Sequence, residues 1–127
     1  VTLLDSLAKR MNWLETVLPQ LGVRKAECVT ARAEEAVTKC RESYDFATSR
    51  AVARLNMLLE LTAPYVKVGG AVLAMKGAAA EEELAECANA IRKLGLKLEG
   101  VDTLLHLLDA YAPTGSYGCD FGAERTV

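Results

Sequence analysis

The chain has 127 residues, with 15 Lys and Arg against 17 Asp and Glu, which gives a net charge of −2 at pH 7. Hydrophobic residues make up 51% of the sequence, so it can build a core and is not typical of a disordered chain. The length fits one domain, and the charge balance does not indicate a general nucleic-acid-binding surface. Any contact with RNA would therefore depend on a few individually placed Arg and Lys side chains.

The distribution of apolar residues and cysteines indicates a cytoplasmic protein. No apolar run reaches the roughly 20 residues that a membrane span requires, and no signal-peptide pattern is present. The four cysteines are scattered, and the single histidine, His106, lies in an apolar run. Because a zinc site needs closely spaced ligands, we expect no metal site. From the scattered cysteines we expect reduced thiols, and from the short apolar runs we expect no membrane association.

The chain begins with a pattern typical of a strand followed by a helix. Residues 1–5 form a short apolar run that ends in Asp5. Apolar residues then recur at helical spacing, at Leu7, Met11, Leu14, Leu18 and Leu21. Ser6 is placed to cap this helix, and Gly22 is placed to end it.

The middle of the chain alternates between strand and helix patterns. Strands are predicted at residues 25–30, 44–49 and 71–75, short helices at 31–37 and 55–62, and a turn at 67–70. The continuous apolar run at 71–75 suits a strand that is buried on both faces of a parallel sheet. This alternation predicts an α/β fold with a mainly parallel sheet.

The last third of the chain is less regular. Residues 80–94 predict one amphipathic helix with an acidic first turn, ended by Gly95. Its apolar face comprises Leu84, Cys87, Ala88, Ile91 and Leu94. Beyond it we predict a strand at residues 96–108, a loop at 110–122 and the start of a final strand at 123–127.

Charged side chains follow the end of each predicted strand as far as residue 76. Asp5 ends the first strand, Arg32 and Glu34 follow the second, Arg50 the third and Lys76 the fourth. The carboxyl ends of the strands in an open parallel sheet line one edge, and ligands bind in the crevice there. The pattern therefore predicts a ligand site on this edge.

Several of these residues also have a simpler interpretation. Asp5 is equally suited to capping the following helix, a common role for Asp. Arg32 could form an exposed pair with Glu34 or Glu35, and Lys76 could simply be solvated. The sequence holds no hydrolase or phosphate-loop motif, and one His cannot build a nucleophile–base pair in an apolar run. Group transfer from a bound cofactor, which the protein positions and polarises, is the favoured chemistry.

Five segments, in order, resemble motifs of the bacterial ribosomal small subunit methyltransferase G family, also known as glucose-inhibited division protein B. They are LLDSLAKR at residues 3–10, RAEE at 32–35, SRAVA at 49–53, VKVGG at 66–70 with AMKG at 74–77, and ER at 124–125. The set is specific because its order and spacing agree along the chain, whereas any one segment alone would be weak.

The resemblance implies a class I, Rossmann-like methyltransferase that uses S-adenosylmethionine. It implies methylation of guanine N7 in 16S ribosomal RNA, free or in the small ribosomal subunit, by a cytoplasmic protein that is monomeric when complete. By motif, Asp5 and Ser6 fall near the cofactor ribose, Ala33 and Glu34 at the adenine end, and Arg50 at the cofactor site. The residues implied for RNA or active-site contact are Lys9, Arg32, Lys76 and Arg125.

The family's Gly-rich cofactor loop lies just upstream of the first strand and is absent from this sequence. We therefore expect residues 1–127 to be a single partial methyltransferase domain, truncated at both ends, that binds the cofactor weakly or not at all on its own and is inactive alone. An NAD(P)-binding oxidoreductase fragment is the alternative, since an acid ending a strand suits a dinucleotide fold too. A non-catalytic helical interaction module is a third, which the apolar run at 71–75 disfavours.

Overall fold

The computed structural model describes residues 1–50, 52–103 and 117–123. The chain divides into two compact units, Val1–Cys40 and Arg41–Val127, and each builds its own sheet. The predicted α/β fold class is confirmed, because parallel strands alternate with helices in both units. The expectation of a single partial domain stays a prediction.

The first unit is a strand–helix–strand–helix repeat. Its elements are β1 (Thr2–Asp5), α1 (Ala8–Gln20), β2 (Glu27–Thr30) and α2 (Ala33–Cys40). The two strands pair in parallel, and Asp5 lies opposite Thr30 at their carboxyl ends. The sequence prediction of these four elements is therefore confirmed, with bounds that shift by a few residues.

The two ends of α1 are fixed by different devices. The predicted cap by Ser6 is wrong, because Leu7 is the N-cap residue and no side chain caps it. Asp5 instead accepts the N–H of Leu7, at 2.8 Å, and turns the chain before the helix begins. At the other end Gly22 has a φ of +74°, and its N–H bonds to the carbonyl of Pro19. Gly22 thus ends the helix as predicted, in a left-handed conformation that suits glycine.

The second unit is a four-stranded mixed sheet with helices. Its elements are β3 (Tyr44–Arg50), α3 (Leu55–Thr62), a 3₁₀ turn (Ala63–Tyr65), β4 (Val66–Lys76), α4 (Ala80–Glu86), α5 (Ala88–Lys93), β5 (Leu96–Thr103) and β6 (Tyr117–Ala123). The strand order is β3-β4-β6-β5. β3 and β4 are parallel, whereas β6 runs antiparallel to both of its neighbours.

The segment predicted as a turn at residues 67–70 lies inside β4 instead. Tyr44 pairs with Val66 and Phe46 with Ala71, so four residues of β4 stand opposite one residue of β3. The extra residues form a bulge. The glycines that suggested a turn therefore lie in an irregular part of the strand, and the strand continues beyond them. A side chain at position 70 would clash with the carbonyl oxygen of Asp45 and the side chain of Val66, so glycine is required there.

The core of the second unit lies on one face of its sheet. It comprises Leu55, Leu58, Leu59, Ala63, Val66, Val72, Ala74, Cys87 and Leu96. The prediction that residues 71–75 are buried on both faces is wrong, because Val72 and Ala74 are fully buried while Leu73 is 39% exposed. Helix α3 packs against β4, and α5 packs against β5. Buried and exposed side chains therefore alternate along residues 72–74 of β4, as in a strand with one face on the core.

Two predictions in the last third of the chain need correction. The helix predicted at 80–94 is two helices separated at Cys87, whose N–H bonds to the carbonyl of Leu84, three residues back, at 3.0 Å. This break leaves Ala88 exposed, while Leu84, Ile91 and Leu94 pack on the core as predicted. Gly95, with a φ of +67°, ends the second helix as expected.

The predicted loop at 110–122 is wrong for its last six residues, which form most of β6. Backbone ladders on both sides of this central strand outweigh the loop-like composition of its glycines. The predicted strand at 96–108 is confirmed as far as Thr103. Residues 104–116, which include His106, and residues 124–127 lie outside the described parts of the chain.

Candidate cofactor and RNA site

Asp5 is an ionised carboxylate that the backbone and a neighbouring cation hold in place. One carboxylate oxygen accepts the N–H of Leu7, and the other accepts a hydrogen bond from the Arg10 guanidinium. The Leu7 hydrogen bond, followed by that of Arg10, lowers the pKa of Asp5. A carboxylate has about four acceptor positions, so Asp5 keeps the capacity to accept hydroxyl groups from a ligand. Its support of the helix start and a role as a ligand residue are therefore compatible.

The start of α2 adjoins Asp5 at the carboxyl edge of the first unit's sheet. The N–H of Ala31 donates to the backbone carbonyl of Asp5, at 3.1 Å. Two residues later α2 begins at Ala33, with Glu34 in its first turn. The fold thus brings the residues expected at the ribose and adenine ends to one edge, while Ser6 is exposed beside Asp5.

Arg32 and Glu34 form the surface pair that the simpler interpretation anticipated. The Arg32 Nε lies 2.7 Å from a Glu34 carboxylate oxygen, and the side chains are 68% and 52% exposed. A hydrogen bond from the backbone N–H of Glu34 itself, aided by Arg32, lowers the pKa of the Glu34 carboxyl against the opposing effect of burial. Exposed pairs of this kind contribute little stability, so both side chains remain available to a ligand.

Arg50 is the last residue of β3 and lies on the face of the sheet away from the core. Phe46, Thr48 and Arg50 are exposed, whereas Ala47 and Ser49, between them, are half-buried. No carboxylate among the described residues pairs with Arg50. The Ser49 hydroxyl is buried and has no hydrogen-bond partner within that part of the chain.

Lys76 ends β4 and is committed to partners within the protein. Its ammonium donates to the carbonyl of Ala53, at 2.6 Å, and lies 2.9 Å from a carboxylate oxygen of Glu83. The Lys76 side chain is only 10% exposed, so the interpretation as a solvated lysine is wrong. The same Glu83 oxygen accepts the N–H of Leu55, at 2.7 Å.

The role of Glu83 was not predicted from the sequence, which assigned it only to the acidic first turn of a helix. Burial by itself raises the pKa of Glu83, but hydrogen bonds from Lys76 and the Leu55 N–H outweigh it, and the net shift is downward. The sequence does contain a signal for its contact with Lys76. An apolar strand ends in Lys76, and an acid, Glu83, follows in the first turn of the next helix. A nearby exposed ion pair, between Arg54 and Glu86 at 2.7 Å, also joins the start of α3 to α4.

The remaining expected contacts have mixed outcomes. Lys9 is exposed on α1, in keeping with either a solvated residue or an RNA contact. Arg125 lies outside the described residues. The prediction that all the charged strand ends share one edge is met within each unit, and for the chain as a whole it stays a prediction.

A cleft of about 460 Å³ lies elsewhere in the second unit. Arg41, Arg92 and Lys93 line it together with residues that precede β4 and β5. These are the amino ends of the strands, at the sheet edge opposite Arg50 and Lys76. The cleft is therefore not the site that the sequence predicted.

Other features of the described residues bear on the sequence predictions. Cys28, Cys40 and Cys87 are free thiols, and burial, with Glu83 and Glu86 nearby, raises the pKa of Cys87. The side chains that the structure describes include no cluster of three or more potential metal ligands. Over the same residues, every helix is too short or too polar to cross a bilayer.

Solved structures share this fold, among them an rRNA methylase. An rRNA methylase from Streptococcus thermophilus aligns with 98% of this chain and 74% of its own, with a TM-score of 0.68 and 15% identity. TYW2 of M. jannaschii, solved in complex with AdoMet, aligns with 97% of this chain and 57% of its own, with a TM-score of 0.70 and 14% identity. The fold is that of class I, Rossmann-like methyltransferases.

Sequence comparison defines the family. The family model for rRNA small subunit methyltransferase G (GidB) matches residues 1–108. The ribosomal RNA small subunit methyltransferase G of Clostridium beijerinckii is 48% identical over 100 residues, which cover 77% of this chain and 42% of that protein. That of Leuconostoc citreum is 44% identical over 117 residues, covering 91% of this chain and 46% of that protein. The chain belongs to the rRNA small subunit methyltransferase G family.

The family match confirms the resemblance seen in the sequence motifs and does not favour the oxidoreductase alternative. The matched region ends before the ER segment at residues 124–125. The chain spans less than half the length of these two relatives, at 42% and 46%.

Proposed function

We propose that this chain is part of an enzyme that transfers a methyl group from S-adenosylmethionine to N7 of a guanine in 16S ribosomal RNA. The observation that carries the proposal is Asp5, a braced and ionised carboxylate at the carboxyl end of a parallel strand in a member of this family. In nucleotide-binding α/β folds an acid at this position accepts hydrogen bonds from ribose hydroxyls.

The first unit would hold the nucleoside end of the cofactor. Asp5 would accept the ribose hydroxyls through its unused lone pairs, with Ser6 exposed beside it. Ala33 and Glu34 begin the helix that follows the neighbouring strand and would meet the adenine end. The Arg10 hydrogen bond fixes the direction of the Asp5 carboxylate before a ligand arrives, which lowers the cost of ordering it on binding.

In the second unit, Arg50 is the residue that we assign to the cofactor site. It lies at the carboxyl end of β3, on the uncovered face of the sheet, and no described carboxylate neutralises it. A guanidinium in this position suits a carboxylate or a polar group of a ligand.

The chemistry requires positioning more than proton transfer. S-adenosylmethionine would supply a methyl group already activated by its sulfonium. Guanine N7 carries a lone pair, so the transfer needs no strong base, and the main contribution of the protein is alignment of the two reactants. The RNA would be held by exposed cations, for which Lys9 and Arg32 are candidates in the first unit and Arg125 is a candidate from the sequence. Lys76 is less suited to contact RNA, because it is 10% exposed and already paired.

We further propose that the substrate is 16S ribosomal RNA, free or within the small ribosomal subunit, and that the enzyme acts as a cytoplasmic monomer. The names of the relatives support an RNA substrate in a ribosomal setting. Light scattering on the purified complete gene product tests the monomer, and a second species at working concentration would contradict it.

The test uses the complete gene product with Asp5→Asn. Asn can still accept the Leu7 N–H, but it loses the charge and one of the two acceptor oxygens, so we expect the Kd for S-adenosylmethionine to rise about tenfold. Calorimetry measures the Kd, and mass spectrometry of nucleosides from small subunits measures 7-methylguanosine. Glu15→Gln, at an exposed position on α1, is the control. An unchanged Kd for Asp5→Asn would remove Asp5 from the cofactor site, and methylation of another base would overturn the proposed reaction.

A further inference from the structure

The ion pair between Lys76 and Glu83 joins three segments of the second unit. Lys76 comes from the end of β4 and Glu83 from the first turn of α4. Together they bind the carbonyl of Ala53 and the N–H of Leu55, the backbone groups on either side of Arg54. We call these two side chains, with the segment 53–55 that they hold, the clamp.

The clamp supplies a cap that the sequence of α3 lacks. Arg54 is the N-cap residue of α3, and no side chain of its own makes a cap hydrogen bond. The first N–H groups of a helix need partners, and a carboxylate at this end also interacts favourably with the helix dipole. Glu83 supplies both from a different helix, through the 2.7 Å bond to the Leu55 N–H.

The segment that the clamp holds is the exit of the chain from β3. Arg50 is the last residue of β3 and pairs with Met75, the neighbour of Lys76. Ala53 follows Arg50 by three positions, so Lys76 reaches across from the adjacent strand end to fix the backbone just beyond Arg50. Both partners are almost fully covered, with side chains 10% and 12% exposed.

We propose that Lys76 and Glu83 are positioning residues for methyl transfer, which act by fixing residues 53–55 and hence the path of the chain after Arg50. This inference rests on the proposed function. Since Lys76 is enclosed, its loss acts on turnover and leaves the binding of RNA phosphates unchanged. A lysine that contacted RNA would have the opposite signature, with a raised KM and a weaker dependence on salt.

The decisive variant is the double substitution Lys76→Met with Glu83→Met in the complete gene product. Replacing both partners of a buried pair by apolar side chains of similar volume is often neutral for stability, so this protein is expected to fold. Neither Met can bind the Ala53 carbonyl or the Leu55 N–H. We expect kcat to fall about tenfold or more, with the KM for small subunits within about twofold of the parent value.

A matched control uses the exposed pair that joins residues 53–55 to α4. Glu86→Gln breaks the 2.7 Å contact to Arg54, whose side chain is 58% exposed, and should leave kcat unchanged. Full kcat in the double variant, or a raised KM with normal kcat, would overturn the positioning role. Hydrogen exchange of the Leu55 amide gives a readout independent of activity, and equal protection in parent and double variant would show that the clamp does not hold. A parent protein that methylates no RNA would overturn the proposed function itself.

Discussion

Breaking the clamp from one side should cost far more stability than breaking the exposed pair beside it. In Lys76→Met, Glu83 keeps its charge but loses its cation, in a position where its side chain is only 12% exposed. Removing one partner of a buried pair costs about 3–5 kcal/mol. We expect about 3 kcal/mol, the low end of that range, since roughly a tenth of each side chain still reaches water.

The dependence of this loss on pH identifies its cause. In the parent protein the pKa of Glu83 lies below its ordinary value of 4.5, so its contribution is present above that pH and fades as pH falls through the folded value. Without Lys76, burial still raises the pKa of Glu83, while the hydrogen bond that lowers it most and the Lys76 charge are lost, so the folded pKa is higher in the variant than in the parent. The variant therefore gains less stability than the parent as pH rises. The difference in stability between parent and variant should be largest at neutral pH and shrink as pH falls.

Urea unfolding of the complete gene product, followed by far-UV circular dichroism, measures this difference. With a slope of about 2 kcal/mol per molar urea, a 3 kcal/mol loss lowers the midpoint by about 1.5 M. Glu86→Gln should leave the midpoint near the parent value. A Lys76→Met midpoint equal to that of the control, or a difference that does not change with pH, would refute this reasoning.

Two further predictions concern the β3–β4 pair. Gly70→Ala should destabilise the protein by about 2 kcal/mol or more, since the added Cβ would meet the Asp45 carbonyl oxygen. Gly77→Ala is the control, because a Cβ at that position meets no atom within 4 Å. Equal melting temperatures for the two variants would contradict this prediction. Ser49→Ala removes a buried hydroxyl that has no partner among the described residues, so stability should stay the same or rise. A loss above about 1 kcal/mol in thermal unfolding would indicate a hydrogen bond to this hydroxyl.

Local patterns in the sequence predicted most of the elements, because those patterns report directly on backbone needs. Gly22 and Gly95 both end helices with positive φ, as expected for residues without a Cβ. The errors occur where a distant partner decides the structure. Residues 117–122 form a strand because β4 and β5 flank them, which no local pattern records. Leu73 is exposed because the helices that the structure describes pack on the other face of its sheet, and strand composition does not reveal which faces are covered.

The candidate site shows the same division. Asp5 and Arg50 are candidates that the sequence alone supplies, because a charged residue at a strand end is a local signal. The sequence does not reveal Glu83 as a hydrogen-bond partner of the Leu55 N–H. The two residues are 28 positions apart, and no local sequence pattern indicates a contact at that separation. Lys76 was placed correctly at a strand end but was expected in solvent or on RNA, since sequence gives the position of a charge and not its partner.

The bulge at residues 67–70 and the Lys76 hydrogen bond to Ala53 together determine the face of the sheet on which Arg50 lies. Side chains alternate along a strand, so a slip of one residue would turn Arg50 towards the core and Ser49 outwards. At the start of the pair, the bulge at 67–70 and the close approach of Gly70 fix which residue of β4 meets Phe46. At the end, Lys76 ties the strand to the Ala53 carbonyl beyond Arg50. A slip would have to break a largely covered ion pair and relocate a bulge at once. We infer that the exposed position of Arg50 is specified from both ends of the strand.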